Sequence, residues 1–188
     1  MKRGLFAACA ALGAVLAAWG KTGATAAAPP DTVPQVDLER YAGKWYEIAR
    51  LPNDFQQDCA GDVSATYSLR DDGRLDVVIE CQRADGQIDR AEGVARVAGE
   101  DGSNSKLEVR FAPAWLSFIP AVWGDYWIVE LADDYSYAVV GHPERTYLWI
   151  LSRTPRMDAD LYQRLLGRIE RRHGYDVSRI ERTAQSAR

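Results

Sequence analysis

The stretch VSATYSLRDDGRLDVVIEC, residues 63–81, has the pattern of two β-strands joined by a tight turn. Apolar residues recur at every second position in both halves, which is the period of a strand with one face buried. Asp71-Asp72-Gly73-Arg74 between them has the composition of a hairpin turn. With Asp72 and Gly73 at the centre of that turn, we expect Ser64 opposite Cys81. The residues expected on the buried face are Val63, Ala65, Tyr67 and Leu69, then Leu75, Val77, Ile79 and Cys81.

Short strand-like segments separated by turn signals recur along the chain, with clean alternation at residues 106–111 and a weaker pattern at residues 88–98. Further strands are predicted at residues 45–51, 88–98, 106–111, 126–132, 135–141 and 146–153. With the opening hairpin these make eight strands joined by short turns. A meander of this length must cover its edge strands, and closure into a barrel does so. The predicted fold class is therefore all-β, an eight-stranded antiparallel up-and-down β-barrel.

The period changes to that of a helix only after the last predicted strand. Asp158 is a suitable N-cap and Gly174 a suitable C-terminal stop. The apolar stripe between them comprises Leu161, Leu165, Leu166 and Ile169. Because such a stripe must be covered, we expect one C-terminal α-helix packed outside the barrel wall. A short strand around residues 177–180 is expected to follow it.

The first residues, MKRGLFAACAALGAVLAAWG, have the order of a secretory signal, with a basic start and a short apolar core. We predict a signal peptide over residues 1–28. Cys9 is interpreted as an ordinary residue of its core; the alternative, a lipidation site, is disfavoured because too little apolar sequence precedes it. A Pro-rich flexible linker is predicted over residues 29–36, and a disordered tail over residues 184–188. The domain itself is expected to span residues 37–183. The protein is thus expected to be secreted across the inner membrane and to be periplasmic or associated with the outer membrane.

The charge balance excludes one class of function. Loss of the signal peptide removes Lys2, Arg3 and Lys21 but no acid, which leaves 20 bases against 27 acids, a formal charge of −7. An acidic domain of this kind is a poor nucleic-acid binder. Two cysteines then remain, in a compartment that permits disulfides.

Those two residues, Cys59 and Cys81, are predicted to form a disulfide. An extended chain from Ser64 would place Cys59 about 16 Å from Cys81, which is too far for a bridge. The loop over residues 52–61 must therefore fold back over the third strand. The rival interpretation, a reactive thiol, needs a reducing compartment or a catalytic neighbour.

An uncharged run, WLSFIPAVWG at residues 115–124, interrupts the alternating pattern. Pro120 and the shortness of the run exclude a membrane-spanning helix, which needs about 20 apolar residues. A central strand is excluded because Pro cannot donate to the ladder. What remains is an apolar loop between the fifth and sixth strands, and such a loop suggests function.

Three short regions carry a family resemblance. Gly43-Lys44-Trp45-Tyr46-Glu47 resembles the Gly-x-Trp-Tyr signature of the lipocalin family, and Asp133-Asp134-Tyr135 is similar to its second region, although the usual Thr is Asp133 here. Arg153 matches the Arg that ends the last barrel strand. Over about residues 37–183 the chain most resembles the bacterial branch of that family. The residues to which the resemblance assigns a structural role are Gly43, Trp45, Tyr46, Asp134, Tyr135 and Arg153.

Counting strands up and down places these signatures at one end of the barrel, where Arg153 is expected to stack over the Trp45 ring. The apolar loop falls at the opposite end, which becomes the entrance to a pocket. The predicted ligand-binding residues are Tyr67, Leu69, Val77, Ile79, Leu107, Val109, Phe111, Trp115, Phe118, Ile119 and Trp123. Arg96 and Arg110 either meet an anionic head group, if they point inward, or are solvated charges on the outer face.

The resemblance implies binding of small hydrophobic molecules such as fatty acids or lysophospholipids. We therefore predict a non-enzymatic lipid carrier, monomeric or homodimeric, for transport or repair in the cell envelope. The alternative is a membrane-peripheral or protein-interaction module that uses residues 112–124 and whose barrel is filled by its own side chains. No motif for hydrolysis or phosphate binding is present, and neither a cofactor nor a metal is expected. An enzyme would have to rely on Cys59 or His142.

Overall fold

Eight antiparallel strands close into a barrel in the computed structural model, which describes residues 28–100 and 102–186. Each strand pairs with its neighbour in sequence, and β1 pairs with both β2 and β8, which closes the sheet. The strands are β1 (Gly43–Arg50), β2 (Cys59–Leu69), β3 (Leu75–Arg83), β4 (Ile88–Val97), β5 (Lys106–Arg110), β6 (Gly124–Leu131), β7 (Tyr137–Gly141) and β8 (Leu148–Ser152). The predicted fold class is confirmed. Residues 1–27 of the predicted signal peptide lie outside the described residues.

Two helices, a 3₁₀ turn and a short strand flank the barrel. A short helix, α1 (Leu38–Tyr41), precedes it, and the long helix α2 (Ala159–His173) follows it. The strand predicted around residues 177–180 is instead a 3₁₀ turn over Val177–Arg179, and a two-residue strand, β9 (Glu181–Arg182), then pairs with β1. No helix in the described part of the chain is long and apolar enough to cross a membrane.

The β2–β3 hairpin has a register one residue away from the predicted one. Ser64 lies opposite Glu80, not Cys81, because the loop contains three residues, Asp71 to Gly73. The Arg70 amide bonds the Arg74 carbonyl, and Gly73 takes the left-handed conformation that a three-residue loop requires, with φ +78°. The observed register pairs odd residues with odd ones, so the apolar positions of both strands face the barrel interior. The predicted register would have turned one of the two apolar faces outward.

The disulfide between Cys59 and Cys81 is confirmed, with Cα atoms 5.6 Å apart. The path to it differs from the predicted one, because Cys59 lies in β2 itself, opposite Arg83. Two register shifts between Cys59 and Ser64 shorten the distance that an extended strand would span. The bridge therefore joins the adjacent strands β2 and β3 near the open end of the barrel.

Helix α2 packs on the outside of the barrel as predicted. Asp158 caps it by accepting from the Leu161 amide at 2.9 Å, and Gly174 ends it with φ +70°. Its buried residues Tyr162, Leu165 and Ile169 form a core with the outward-facing apolar residues of the wall, which are Ile48, Val129, Val139, Leu148 and Ile150. This core is separate from the one inside the barrel, so the helix covers the wall without entering the interior.

The prediction of a flexible linker over residues 29–36 is wrong. The Val33 amide donates to the Ile128 carbonyl at 2.9 Å, and the Val36 amide donates to the Ser103 carbonyl at 2.8 Å. Val36 is fully buried against Tyr41 and its neighbours in the inner core. The segment is ordered because its valines fill the closed end of the barrel. Its Pro-rich composition does not indicate this packing.

Residues 184–186, assigned to a disordered tail from the sequence, are also bound to the barrel. Strands β1 and β2 pair only up to Tyr46 and Ser64, and the chain after β9 occupies the gap above that point. The Gln185 amide group donates to the carbonyls of Glu47 and Val63, both at 2.8 Å. Ser186 bonds the Asp62 carboxylate. The tail thus supplies partners to backbone groups that the diverging strands leave unpaired.

Candidate ligand-binding site

An open cavity of about 620 Å³ occupies the half of the barrel that faces away from Trp45. Of the predicted ligand-binding residues, those that line it are Tyr67, Val77, Ile79, Val109 and Phe111. Those that do not line it are Leu69, Leu107, Trp115, Phe118, Ile119 and Trp123. Leu107 is buried in the inner core, and Leu69 lies at the hairpin of the closed end, 38% exposed. The barrel is not filled by its own side chains, so that part of the alternative prediction is wrong.

Three tyrosines meet at the floor of the cavity. The Tyr126 hydroxyl lies 2.7 Å from that of Tyr41 and 2.8 Å from that of Tyr67. Tyr67 and Tyr126 face the cavity, whereas Tyr41 lies behind them and is fully buried. Burial raises the pKa of Tyr67 to about 12 and the pKa values of Tyr41 and Tyr126 well above the ordinary value. All three are therefore neutral phenols at physiological pH.

The signature residues lie together below this floor. The Arg153 guanidinium stacks 3.8 Å from the Trp45 ring centre, and the Trp45 indole donates to the Tyr41 carbonyl at 2.8 Å. Gly43 has φ +96°, and a Cβ there would lie 3.2 Å from an Arg153 nitrogen. The Tyr135 hydroxyl accepts from the Asp37 amide at 2.9 Å. Asp134 bonds the Ser136 amide, and Tyr46 is half-buried on the outer wall. None of the six signature residues lines the cavity.

One side of the mouth is aromatic and rests on a buried polar network. The rings of Phe55, Tyr147 and Trp149 lie 5.5–6.1 Å from one another. The Trp149 indole donates to the Gln56 side-chain oxygen at 2.9 Å, and the Gln56 amide donates to the Glu47 carboxylate at 2.8 Å. Glu47 is in turn paired with Arg50 at 2.6 Å. The buried Glu47 charge is thereby neutralised and bonded, as a buried carboxylate must be.

The remaining charges of the mouth are mainly acidic. Asp89 and Asp125 line it, and the Asp125 carboxylate lies 3.7 Å from the His142 ring nitrogen. The Asp89 carboxylate accepts from the Arg90 backbone amide at 3.0 Å and forms no ion pair with a basic side chain among the described residues. Arg90, also at the mouth, is engaged by two carboxylates on the outer face, at 2.8 and 3.0 Å.

The two arginines considered as head-group partners lie on the outer wall. Arg96 bonds the Glu108 carboxylate at 2.7 Å and stacks over the Trp123 ring. Arg110 is buried and also lies over that ring, 5.2 Å from its centre. Trp123 thus faces outward beneath two guanidinium groups, while the adjacent Val122 faces the cavity. Neither arginine points into the cavity.

The apolar loop over residues 112–124 forms one rim of the mouth. It contains two 3₁₀ turns, Ala114–Leu116 and Pro120–Val122. Trp115 and Phe118 project from it with 73% and 78% of their surface exposed. Within the described residues, no cluster of His, Cys, Asp and Glu side chains has the arrangement of a metal site.

Comparison with known proteins agrees with this geometry. The family model for a lipocalin-like domain matches residues 36–185, which is most of the chain. The chain belongs to the lipocalin family. Members of this family bind small hydrophobic ligands and are generally carriers, not enzymes.

Named relatives of this lipocalin come from plants, bacteria and animals. It is 41% identical to temperature-induced lipocalin-1 of Arabidopsis thaliana, over 83% of each chain. It is 39% identical to the outer membrane lipoprotein Blc of Escherichia coli K12, over 77% of this chain and 76% of the relative. Rat apolipoprotein D is 35% identical over 67% of this chain and 65% of the relative.

Solved structures agree on the fold. Insecticyanin from the tobacco hornworm superposes with a TM-score of 0.63 at 22% identity, over 84% of this chain and 86% of that one. Apocrustacyanin C1 superposes with a TM-score of 0.62 at 18% identity, over 85% and 91% of the two chains. At these identities the likeness supports the fold alone.

Several residues that line the lipocalin cavity were not among the predicted ones. Tyr126 is part of the floor, and alternation within the predicted strand 126–132 places it on the same face as the buried Ile128. Gln56, Tyr147 and Trp149 lie at the mouth. Gln56 could not be identified from its own position in the sequence, because its role depends on a hydrogen bond to the buried Glu47. Glu47 belongs to the Gly-x-Trp-Tyr region, which was predicted to lie at the closed end.

Proposed function

We propose that this lipocalin binds and carries a lipid with one long acyl chain, a fatty acid or a lysophospholipid, in its barrel cavity. The observation that supports the proposal is an open, mainly apolar cavity of about 620 Å³ with a polar mouth. That volume lies within the range of small-molecule sites, about 300–1,000 Å³. Each methylene transferred from water into such a cavity contributes about 0.8 kcal/mol before ordering costs. No covalent chemistry is required, so the proposed role is that of a carrier and not of an enzyme.

The charges at the mouth favour one kind of head group. A fatty acid held with its carboxylate outward would lie near Asp89 and Asp125. The ligand carboxylate would be repelled by these two carboxylates, whereas the ammonium group of a zwitterionic lysophospholipid would be attracted to them. The exposed ring of Phe55 and the half-buried ring of Tyr147 offer additional contact to a cation. We therefore propose lysophospholipids with an amine head group as the favoured ligands among the two classes.

The exposed rim supports a route for the ligand. Trp115 and Phe118 are large apolar side chains in the loop beside the mouth. Aromatic side chains of this kind lie favourably at a membrane–water interface. We propose that the rim loop contacts a membrane surface transiently while a lipid enters or leaves the cavity.

We propose that this occurs in the cell envelope, after secretion across the inner membrane, in lipid transport or repair. The bacterial relatives are named outer membrane lipoproteins, which supports a periplasmic or outer-membrane location. The proposed ligand-exchange step also needs access to a membrane. Expression of the full chain with fractionation into periplasm and membranes tests the location.

Native mass spectrometry of the delipidated protein tests the carrier function. Protein extracted with organic solvent and refolded should rebind one lysophospholipid or fatty acid per barrel. Ala91→Trp should abolish rebinding, because Ala91 lines the cavity and the indole would occupy it. Ala98→Trp is the matched control, since Ala98 is exposed and does not line the cavity. A wild-type barrel that takes up neither lipid would refute the proposal.

A further inference from the structure

The floor of the cavity has one more hydrogen-bond donor than it uses. The hydroxyls of Tyr41, Tyr126 and Tyr67 form a chain of two hydrogen bonds, at 2.7 and 2.8 Å. Each phenol carries one hydrogen, so three hydrogens are available for two bonds. Whichever direction the chain runs, one hydroxyl hydrogen has no acceptor within the described residues.

The position of that spare hydrogen follows from burial. If it belonged to Tyr41, it would lie in the inner core behind the floor, where Tyr41 is fully buried and no cavity surface is available. An unpaired buried donor carries a substantial desolvation penalty. If it belongs to Tyr126 or Tyr67, it lies on a residue that faces the cavity. The second arrangement is favoured, because there a ligand or a water molecule can accept the hydrogen.

The surroundings of this donor are apolar. Val77, Val109 and Leu151 also line the cavity, and the acidic residues of the mouth lie at its other end. A plain acyl chain that reaches the floor would displace any water there and leave the donor unpaired. A chain with an oxygen at that depth would instead accept the hydrogen bond.

We infer that the cavity floor is a donor site for a neutral oxygen at the deep end of the ligand, such as a hydroxyl or carbonyl group on the acyl chain. The inference rests on the proposed function, since it specifies which acyl chains the carrier prefers. The ligand class is an oxygenated lipid, and Tyr126 and Tyr67 are the residues that recognise its buried oxygen.

Two matched acids measure this preference. Hexadecanoic acid and 16-hydroxyhexadecanoic acid differ only at the deep end, so their contacts with the mouth cancel in the comparison. The same pair at 12 and 14 carbons identifies the chain length that reaches the floor. Isothermal titration calorimetry on the delipidated full-length protein gives the Kd values. At the best length, we expect wild type to bind the hydroxy acid at least as tightly as the plain acid.

Phe substitutions separate the donor from the shape of the floor. Replacing Tyr41, Tyr67 and Tyr126 together by Phe removes every hydroxyl and leaves none unpaired, so the barrel should fold. In that variant the hydroxy acid should bind roughly ten-fold more weakly than the plain acid, because its buried hydroxyl has no partner. Tyr41→Phe is the control, because the remaining Tyr67–Tyr126 pair still has one spare hydrogen on the cavity side. It should keep the wild-type preference.

Three results would overturn the inference. One is a wild-type protein that binds the hydroxy acid ten-fold more weakly than the plain acid at every chain length, in which case the carrier function stands. Another is a triple Phe variant that binds the plain acid and shows the same preference as wild type. The third is a Tyr41→Phe variant that loses the preference. Failure of wild type to bind either acid, or lysophosphatidylcholine, would instead contradict the proposed function itself.

Discussion

Replacing Arg153 by Lys should destabilise the barrel although the charge is retained. The guanidinium group lies 3.8 Å from the Trp45 ring centre, as a planar cation over an indole face. It also donates to four backbone carbonyls, those of Arg40, Tyr41, Lys44 and Tyr135, at 2.6 to 3.3 Å. A lysine ammonium is a compact donor that cannot stack flat on a ring or reach carbonyls on opposite sides.

The magnitude follows from these contacts. A partly desolvated cation–π contact contributes about 1–2 kcal/mol, and Lys should retain about half of it. Of the four hydrogen bonds, we expect two to be lost, each with a net contribution of about 0.5–1.5 kcal/mol. Arg153 is half-exposed, so water replaces part of what is lost. The expected decrease in the free energy of unfolding is therefore about 2 kcal/mol.

Urea denaturation followed by tryptophan fluorescence measures this change. With a slope of about 2 kcal/mol per molar urea for a domain of this size, the midpoint should fall by about 1 M at unchanged slope. Arg156→Lys is the control, since Arg156 is exposed and does not stack on the Trp45 ring. A urea midpoint for Arg153→Lys within about 0.25 M of the wild-type value would refute the argument. The positive charge alone, and not the planar guanidinium group, would then be sufficient to stabilise the closed end of the barrel.

Three further results are expected. Reduction of the disulfide, which joins residues 22 apart, should lower the free energy of unfolding by about 3 kcal/mol; an unchanged thermal midpoint in reductant would contradict this. Burial opposes ionisation of Glu130, but the His173 hydrogen bond and nearby arginines lower the pKa of this carboxyl overall. The contribution of the ionised carboxylate to folding stability is therefore present above the ordinary carboxyl pKa and is lost as the pH falls through the lowered value. Glu130→Gln should accordingly be less stable at pH 7, with the difference from wild type shrinking below about pH 4; a constant difference would exclude the carboxylate charge as its cause. Replacing Trp115 and Phe118 by Ser should weaken binding to phosphatidylglycerol vesicles several-fold at unchanged thermal midpoint, because both side chains are exposed; a cooperative loss of folding would show that the loop belongs to the core.

The sequence is sufficient to predict the barrel because clean alternation in residues 63–69, 75–81 and 106–111 is combined with short turns that separate all eight strands. The outer helix is equally clear, since its cap, stop and stripe agree. Turn geometry is harder to predict from the sequence. Asp71-Asp72-Gly73 is compatible with a two-residue or a three-residue loop, and only the three-residue loop places the apolar faces of both strands on the same side of the sheet. The segment at residues 29–36 was obscured by its prolines, which remove amide donors without preventing Val36 from being buried.

The lining of the cavity was only partly predictable because alternation gives the face of a side chain but not its depth. Leu107 and Val109 share the inner face of β5, yet Leu107 belongs to the core and Val109 to the cavity. For the loop over residues 112–124, the sequence does not indicate which side chains face the cavity, because residues in a loop do not alternate between two faces. Trp123 therefore turned outward beneath Arg96, and Val122 inward.

The existence of the cavity is a consequence of side-chain size at successive depths. Below the floor the interior is filled by large buried residues, which include Trp45, Tyr41, Leu75, Leu107 and Ile128. Above it the inward positions on several strands are small: Ala65 on β2, Ala91 on β4 and Gly124 on β6. Close packing normally removes voids from a protein interior, so a barrel with small residues in its upper layers keeps a space that only a ligand or water can fill. The tyrosine hydroxyls lie at the boundary between the two regions, so we expect a change of polarity there to alter ligand preference more than the packing of the core.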